Sequence, residues 1–318
     1  MPADILTVTL NPTLDVTTSV SVLMDQVKLR CTPAQEQVGG GGINVAHVVH
    51  SLGGQCQAML PAGGTRGQEI VERLRESGLP VVTTPIAEQS RECFNVFETD
   101  TGREYRFVLP GPHLSASEQQ ACIDTVVQAL PRRFLVFSGS LPPGVGEDFY
   151  ARLIASVRAQ APDLRVVIDT SGPALKHALD AGVYMIKPSR EEFEVLTQTK
   201  ITSPAQAATL CQAIIASGKT HVVALSLGRD GAVVVTAEGA WHVKPLPVTV
   251  TSTVGAGDSF VGGMVWAMTS ADDLAHAARV ATACAAAALQ TQGRLYFDTA
   301  AVLADAQRVQ ITGLSTPL

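Results

Sequence analysis

The chain has 318 residues, 46% hydrophobic and 16% charged, with a formal net charge of −6. That length supports one large α/β core or a core with a small accessory unit. The acidic balance and the lack of a Lys/Arg-rich run argue against nucleic acid as a partner, so an anionic ligand must be held by a few placed cations and amides.

In chain order, "DILTVTLNPT" (4–13) predicts a buried strand ending in a turn, and about 15–38 reads as short β-like segments with no helix. "GGGGINVAHVVHSLGG" (39–54) predicts a helix opening from a glycine turn. "QAMLPAGG" (57–64) is a strand and "GQEIVERLRESG" (67–78) an amphipathic helix ending at Gly78. Alternation on both sides of "DTG" (100–102) within "ECFNVFETDTGREYRFVLPG" predicts a hairpin.

Helices and strands then alternate regularly. Helix 115–130 leads to strand "FLVFSGS" (134–140), helix 147–160 to strand "RVVIDTS" (165–171), and helix 173–182 to strand "YMIKPS" (184–189). Helices 190–198 and 204–218 precede strand "HVVALSLG" (221–228), and a glycine turn at 255–257 opens the apolar helix "SFVGGMVWAM". Near-continuous apolar strands of this kind predict a parallel sheet covered on both faces. The expected fold is a doubly wound, mainly parallel sheet in a single domain over 1–318, with a small β lid from about 12–38 and 90–110.

Six cysteines lack a CxxC or metal spacing, the N-terminus has no basic, cleavable leader pattern, and no uncharged apolar run reaches the length of a membrane span. The expectation is a cytoplasmic protein with reduced, mostly buried thiols.

Two nucleotide motifs fail on inspection. "SGKT" (217–220) has the tail of a P-loop, but the position five before Gly218 is Ala213 and the preceding element is a helix. Gly218 reads instead as a helix C-terminal glycine. Neither "VGAGDSF" nor "GGGGIN" has the third glycine of a dinucleotide fingerprint, those positions being Phe260 and Asn44. An anion hole at a helix start remains. Gly255, Ala256 and Gly257 leave bare N–H groups at the positive end of the helix, beside Asp258. A first-turn aspartate is often only a cap. A carboxylate beside an anion hole can also accept the proton of an attacking hydroxyl while the amides stabilise a transferring phosphoryl group.

"GGGGINVA" (39–46) and "STVGAGDSFVGG" (252–263), in that order and at that separation, resemble the two signatures of the PfkB, or ribokinase-like, family of carbohydrate kinases. "TLNPTLD", "KLRCT", "PAGG", "YRFVLPG" and "SGSLPPG" look most like the 6-phosphofructokinase branch. The resemblance implies Asp258 as catalytic base and Gly255, Ala256 and Gly257 as the anion hole. It implies sugar-phosphate contacts from Asp15, Gly39, Gly40, Asn44, Arg91 and Ser140, with Lys28 and Arg30 as lid cations able to reach a neighbouring subunit's site in a homodimer.

For ATP it implies Lys187, Ser189, Ser226, Gly228 and Gly231, and for magnesium Glu192 through water. Ser189 and Glu192 equally fit a capping box, and "SLGRDG" (226–231) equally fits a plain hairpin turn. Ser189 stands where the family usually has asparagine. Ser252 and Val254 match a potassium site, with Thr291 in "LQTQGRL" departing from the asparagine of the nearest branch. Gly41 stands where 1-phosphofructokinases and tagatose-6-phosphate kinases of the family carry a lysine, which favours fructose 6-phosphate as acceptor. Those two kinases are the near alternatives; a sugar-phosphate sensor without activity and a dehydrogenase are the remote ones.

Overall fold

The computed structural model describes residues 2–271, 273–291, 295 and 297–314. Its elements are β1 (Ile5–Val8), β2 (Thr13–Val20), β3 (Gln35–Gly39), α1 (Gly41–Ser51), β4 (Cys56–Ala62), α2 (Gly64–Glu76), β5 (Val81–Pro85), β6 (Arg91–Glu98) and β7 (Arg103–Val108). Then follow α3 (Ala116–Gln128), β8 (Phe134–Ser138), α4 (Phe149–Gln160), β9 (Arg165–Asp169), α5 (Gly172–Asp180), β10 (Val183–Ile186), α6 (Arg190–Thr197), α7 (Pro204–Ala216) and β11 (Thr220–Ser226). The chain closes with β12 (Ala232–Val235), β13 (Ala240–Val243), α8 (Ala256–Ser270), α9 (Leu274–Leu289), α10 (Thr299–Arg308) and β14 (Ile311–Leu314).

The larger sheet has the order β14-β13-β12-β11-β10-β9-β8-β1-β4-β5. From β5 to β11 every pairing is parallel, whereas β12, β13 and β14 are added antiparallel. The parallel strands are short and apolar, as strands buried on both faces must be. Their side chains alternate between two cores. Ile5, Phe134 and Val136 pack with α1, α2, α8, α9 and α10 on one face. Leu6, Val8, Leu135 and Phe137 pack with α3 to α7 on the other. Phe137 stacks on Tyr150 with centroids 5.2 Å apart, and truncating it to alanine would cost about 3–5 kcal/mol.

The chain winds outward from β1 in one direction through β4 and β5, then returns to β8 and winds in the other. The crevice where that order reverses lies at the carboxyl ends of β1 and β8, the place where open α/β sheets bind ligands.

The smaller sheet has the order β3-β2-β6-β7. The predicted hairpin is β6 and β7, with Phe94 opposite Phe107. The apolar Phe97, Phe107, Val108 and Leu109 are exposed, together with Met24 and Val27 of the β2–β3 loop.

Several elements escaped the sequence reading. β5 is a half-buried edge strand, β12 to β14 are four-residue strands after tight turns, and α9 is so rich in alanine that its period is faint. Gly218 follows the end of α7 at φ 74°, a left-handed helix terminator, so "SGKT" is no phosphate loop. Cys31 is an exposed free thiol, and the other five cysteines are free and buried. Among the described residues no helix is long and apolar enough to cross a membrane.

Candidate active site

The glycine run before α1 is used for close packing. Gly40 has φ 130°, a conformation that side chains resist. A Cβ at Gly39 would overlap the Asp15 carboxylate, one at Gly41 the Ser138 hydroxyl, and one at Gly42 the end of β1. Within the chain the backbone there approaches Asp15, β1 and β8. The Ile43 N–H donates to Thr9 Oγ1 at 2.9 Å, so a threonine from the end of β1 caps α1 from outside.

That packing sets Asn44 one turn into α1, where its amide donates to Asp258 Oδ2 at 2.8 Å. Asp258 lies in the first turn of α8. The helix is opened by Gly255 in the left-handed conformation, φ 76°. Its first internal bond runs from the Ser259 N–H to the Gly255 carbonyl. The N–H groups of Ala256, Gly257 and Asp258 precede that bond and have no acceptor within the helix, at the positive end of a 15-residue dipole. Any side chain at Gly257 would point at Lys187 Nζ. The glycine therefore leaves open a space bounded by amides on one side and an ammonium on the other.

Lys187 follows β10 and is 6% exposed. Its ammonium pairs with Asp169 Oδ1 at 3.1 Å. Burial works against its charge, but Asp169, Asp258 and Glu192 hold its pKa above the ordinary lysine value. Asp258 is raised to about 6, first by burial and then by Asp169, against the opposing pull of Asn44, Lys187 and Ser138. Ser138 stands between the two carboxylates, 3.4 Å from Asp258 Oδ1 and 3.4 Å from Asp169 Oδ2. A carboxylate held near neutrality beside free amides and a buried cation can take a proton while phosphoryl charge is stabilised next to it. Ser138 and Asp169 were missed in the sequence. The available sign was a polar residue closing each of the apolar strands "FLVFS" and "RVVID".

On the other side of the crevice the smaller sheet joins the larger. Asp15 sits on β2, its pKa raised by burial against the pull of Arg106 and Arg91. Arg106, on β7, donates to Asn95 and was not singled out in the sequence. Arg91 donates to the carbonyls of Leu109 and Asn11 at 3.2 and 3.1 Å, bracing the junction of the two sheets, and its Nε is buried with no partner among the described residues. Asn11 is 6% exposed and donates to Ser140 Oγ at 3.3 Å. Asp15 thus lies against Gly39, and Arg91 is linked through Asn11 to Ser140. Lys28 and Arg30 are exposed in the loop between β2 and β3.

Ser189 and Glu192 form the capping box of α6: the Glu192 N–H donates to Ser189 Oγ at 3.2 Å and the Ser189 N–H to Glu192 Oε2 at 2.7 Å. Ser189 pairs with Ser226 at the ends of β10 and β11. Gly228 and Gly231 form the tight turn into β12, with φ of 60° and 85°, and an Arg190–Asp230 ion pair ties that turn to α6. "SLGRDG" is therefore a hairpin turn, and it opens beside Ser189.

The segment before α8 lies against the end of α9. The N–H groups of Thr251 and Ser252 donate to the Leu289 carbonyl, and Val254 donates to Ser252 Oγ. Thr291 Oγ1 donates to Ala288. The next residues of the expected potassium site, 292–294, lie outside the described residues.

Residues 10–299 match the profile of the pfkB family of carbohydrate kinases. The chain belongs to this family. It is 41% identical over 291 residues to the ATP-dependent 6-phosphofructokinase isozyme 2 of Mycobacterium tuberculosis, covering 91% of this chain and 85% of that one. It is 38% identical over 290 residues to the isozyme 2 of Escherichia coli, covering 91% and 93%. The 1-phosphofructokinase of Xanthomonas campestris stands at 32% over 289 residues, covering 89% and 90%.

Solved structures of the E. coli phosphofructokinase-2 superpose closely. Its complex with fructose-6-phosphate gives a TM-score of 0.87 at 36% identity, covering 96% of this chain and 97% of that one. Its potassium complex gives 0.91 and its tetrameric inhibited form 0.89, both at 36% identity and covering 96% and 99%.

Proposed function

We propose that this chain transfers the γ-phosphoryl group of ATP to the 1-hydroxyl of fructose 6-phosphate, giving fructose 1,6-bisphosphate. The observation that carries the reading is Asp258, anchored by Asn44 and set between the first amides of α8 and the Lys187 ammonium. In this reading Asp258 accepts the proton of the attacking hydroxyl. The amides of Ala256 and Gly257, in the turn opened by Gly255, stabilise the phosphoryl oxygens, with Lys187 beside them. Asp15, Gly39, Gly40, Asn44 and Ser140 orient the sugar. Arg91 meets its phosphate, which suits a guanidinium already placed at the junction of the sheets. Ser189, Ser226, Gly228 and Gly231 border the nucleotide.

Magnesium supplies charge neutralisation on the ATP phosphates. Among the described residues no group of three or more His, Cys, Asp or Glu could hold a metal ion. That suits an ion carried mostly by phosphate and water, with Glu192 reaching it through water. Ser252 and Val254 are proposed to line a potassium site, supported by the potassium complex of the E. coli relative.

The smaller sheet acts as a lid over the crevice and pairs with its copy in a homodimer. The exposed Phe107 and the half-buried Phe94 opposite it on the same face support this, because an apolar sheet face with open edges is stable only when covered. Lys28 and Arg30 then face the partner's crevice. Cytoplasmic location follows from the proposed use of ATP.

A coupled assay over fructose 6-phosphate, fructose 1-phosphate, tagatose 6-phosphate and free fructose tests the reading. The expected order places fructose 6-phosphate first, with free fructose a poor substrate. A preference for fructose 1-phosphate would move the enzyme to the 1-phosphofructokinase branch, and no turnover with any sugar would leave the sensor reading.

A further inference from the structure

Asp258 and Asp169 are joined through one hydroxyl. Ser138 closes β8 at 1% exposure and lies 3.4 Å from Asp258 Oδ1 and 3.4 Å from Asp169 Oδ2. A serine carries a single hydroxyl proton, so it serves one carboxylate at a time. The other oxygens are already engaged: Asp258 Oδ2 accepts from Asn44 at 2.8 Å, and Asp169 Oδ1 meets Lys187 at 3.1 Å. The hydroxyl is also confined. A Cβ at Gly41 would overlap Ser138 Oγ, so the start of α1 closes over it.

We propose that Ser138 is a positioning residue for phosphoryl transfer: its hydroxyl holds the ionised Asp258 carboxylate in place together with Asn44, and turns to Asp169 once Asp258 has taken the acceptor's proton. The inference rests on Asp258 as the base. In the reaction the acceptor O–H bond breaks and its proton passes to Asp258. The oxygen's electron pair forms the new bond to the γ-phosphorus, and the phosphorus–oxygen bond to ADP breaks with its pair going to ADP. Ser138 keeps its own proton throughout and only reorients. While Asp258 is charged the two carboxylates compete for that proton; once Asp258 is neutral its pull weakens, and Asp169, paired with Lys187, draws it.

The charged groups that act on Asp258 are Asp169 from β9 and Lys187 from β10, with Glu192 of α6 acting through Lys187. Asn44, from α1, is neutral. A hydrogen bond to the charged form of an acid favours that form. Loss of the hydroxyl should therefore let Asp258 protonate at higher pH.

The test compares Ser138→Ala, Ser138→Cys and Gly41→Ala. The last displaces the hydroxyl with the serine intact. For Ser138→Ala, kcat near neutral pH should fall about tenfold, the scale of one hydrogen bond to a charged group. The KM for each substrate should change less than about threefold, while the acid limb of the kcat–pH profile moves up by about half to one pH unit. Ser138→Cys, a weaker donor, should fall between wild type and alanine, and Gly41→Ala should reproduce the moved limb. A profile for Ser138→Ala superimposable on wild type overturns the proposal whatever happens to kcat. So does a loss of kcat accompanied by a parallel rise in both KM values. An Asp258→Asn variant that turns over like wild type would sink the base assignment itself. A crippled Asp258→Asn beside an unmoved Ser138→Ala profile sinks only the role of Ser138.

Discussion

The two sheets solve opposite problems. The larger is covered on both faces, and its strands β8, β9 and β11 close on Ser138, Asp169 and Ser226, with Lys187 directly after β10. The smaller has four strands, and leaves Phe107 50% exposed and Val108 62% exposed. A rigid, fully buried sheet can hold a carboxylate within a few tenths of an ångström of its partners. A half-covered sheet is free to shift, and needs either a ligand or another chain to complete it. We assign chemistry to the carboxyl ends of the first, and closure and assembly to the second.

The largest effect should come from the rigid side. Asp258→Asn is expected to lower kcat by about 10²–10⁴-fold, the usual contribution of a general base, with much smaller changes in either KM. The same substitution should stabilise the protein. A carboxyl whose pKa is raised in the folded chain favours folding only at low pH, and that contribution is lost as pH rises through about 6. At neutral pH the ionised group therefore costs stability. A displacement from 3.8 to about 6 corresponds to at most roughly 3 kcal/mol, so thermal melting at pH 7.5 should rise by a few degrees for the variant and converge with wild type near pH 4. Lower activity without higher stability would break the link between the buried carboxyl and its role.

On the lid side, replacing both Phe94 and Phe107, which share a face, with aspartate should convert the proposed dimer into a species near the 33.3 kDa monomer mass, read by light scattering at micromolar concentration. A wild-type protein already at that mass with full activity would remove the contrast altogether. At the junction of the sheets, Arg91→Ala should raise the KM for fructose 6-phosphate at least tenfold, about 1.4 kcal/mol, and leave that for ATP nearly unchanged. Equal increases for both substrates would make Arg91 a brace for the Asn11 and Leu109 carbonyls and nothing more.

The smallest effect is in pH. With Asp258 raised to about 6, kcat should fall as pH drops through that value, to about half near pH 6 and tenfold for each unit below. An acid limb near pH 4 would instead point to a base exposed to water.

Much was legible before any coordinates. The alternation of apolar strands and amphipathic helices determined the parallel sheet, because a strand buried on both faces has few polar positions to offer. Gly255 and Gly257 marked the start of α8, where Gly255 takes the left-handed conformation. The hairpin around 100–102 was written in its period-two pattern. The antiparallel strands β12 to β14 were not legible, being four residues each, too short to show a period. α9 was hidden by its alanines.

Tertiary structure alone decided the company each site residue keeps. Sequence implied a sugar contact at Gly39 and Gly40; folding also brings Asp15, Thr9 and Ser138 against the glycine run. Ser138 and Asp169 looked like ordinary strand ends, and become the neighbours of Asp258 only because β8, β9 and β10 lie side by side under the start of α8. A local pattern records which backbone a residue prefers and which face it buries. The Asp258 carboxylate is bonded by side chains 120 and 214 residues away in the chain, and proximity of that kind exists only once the sheet has formed.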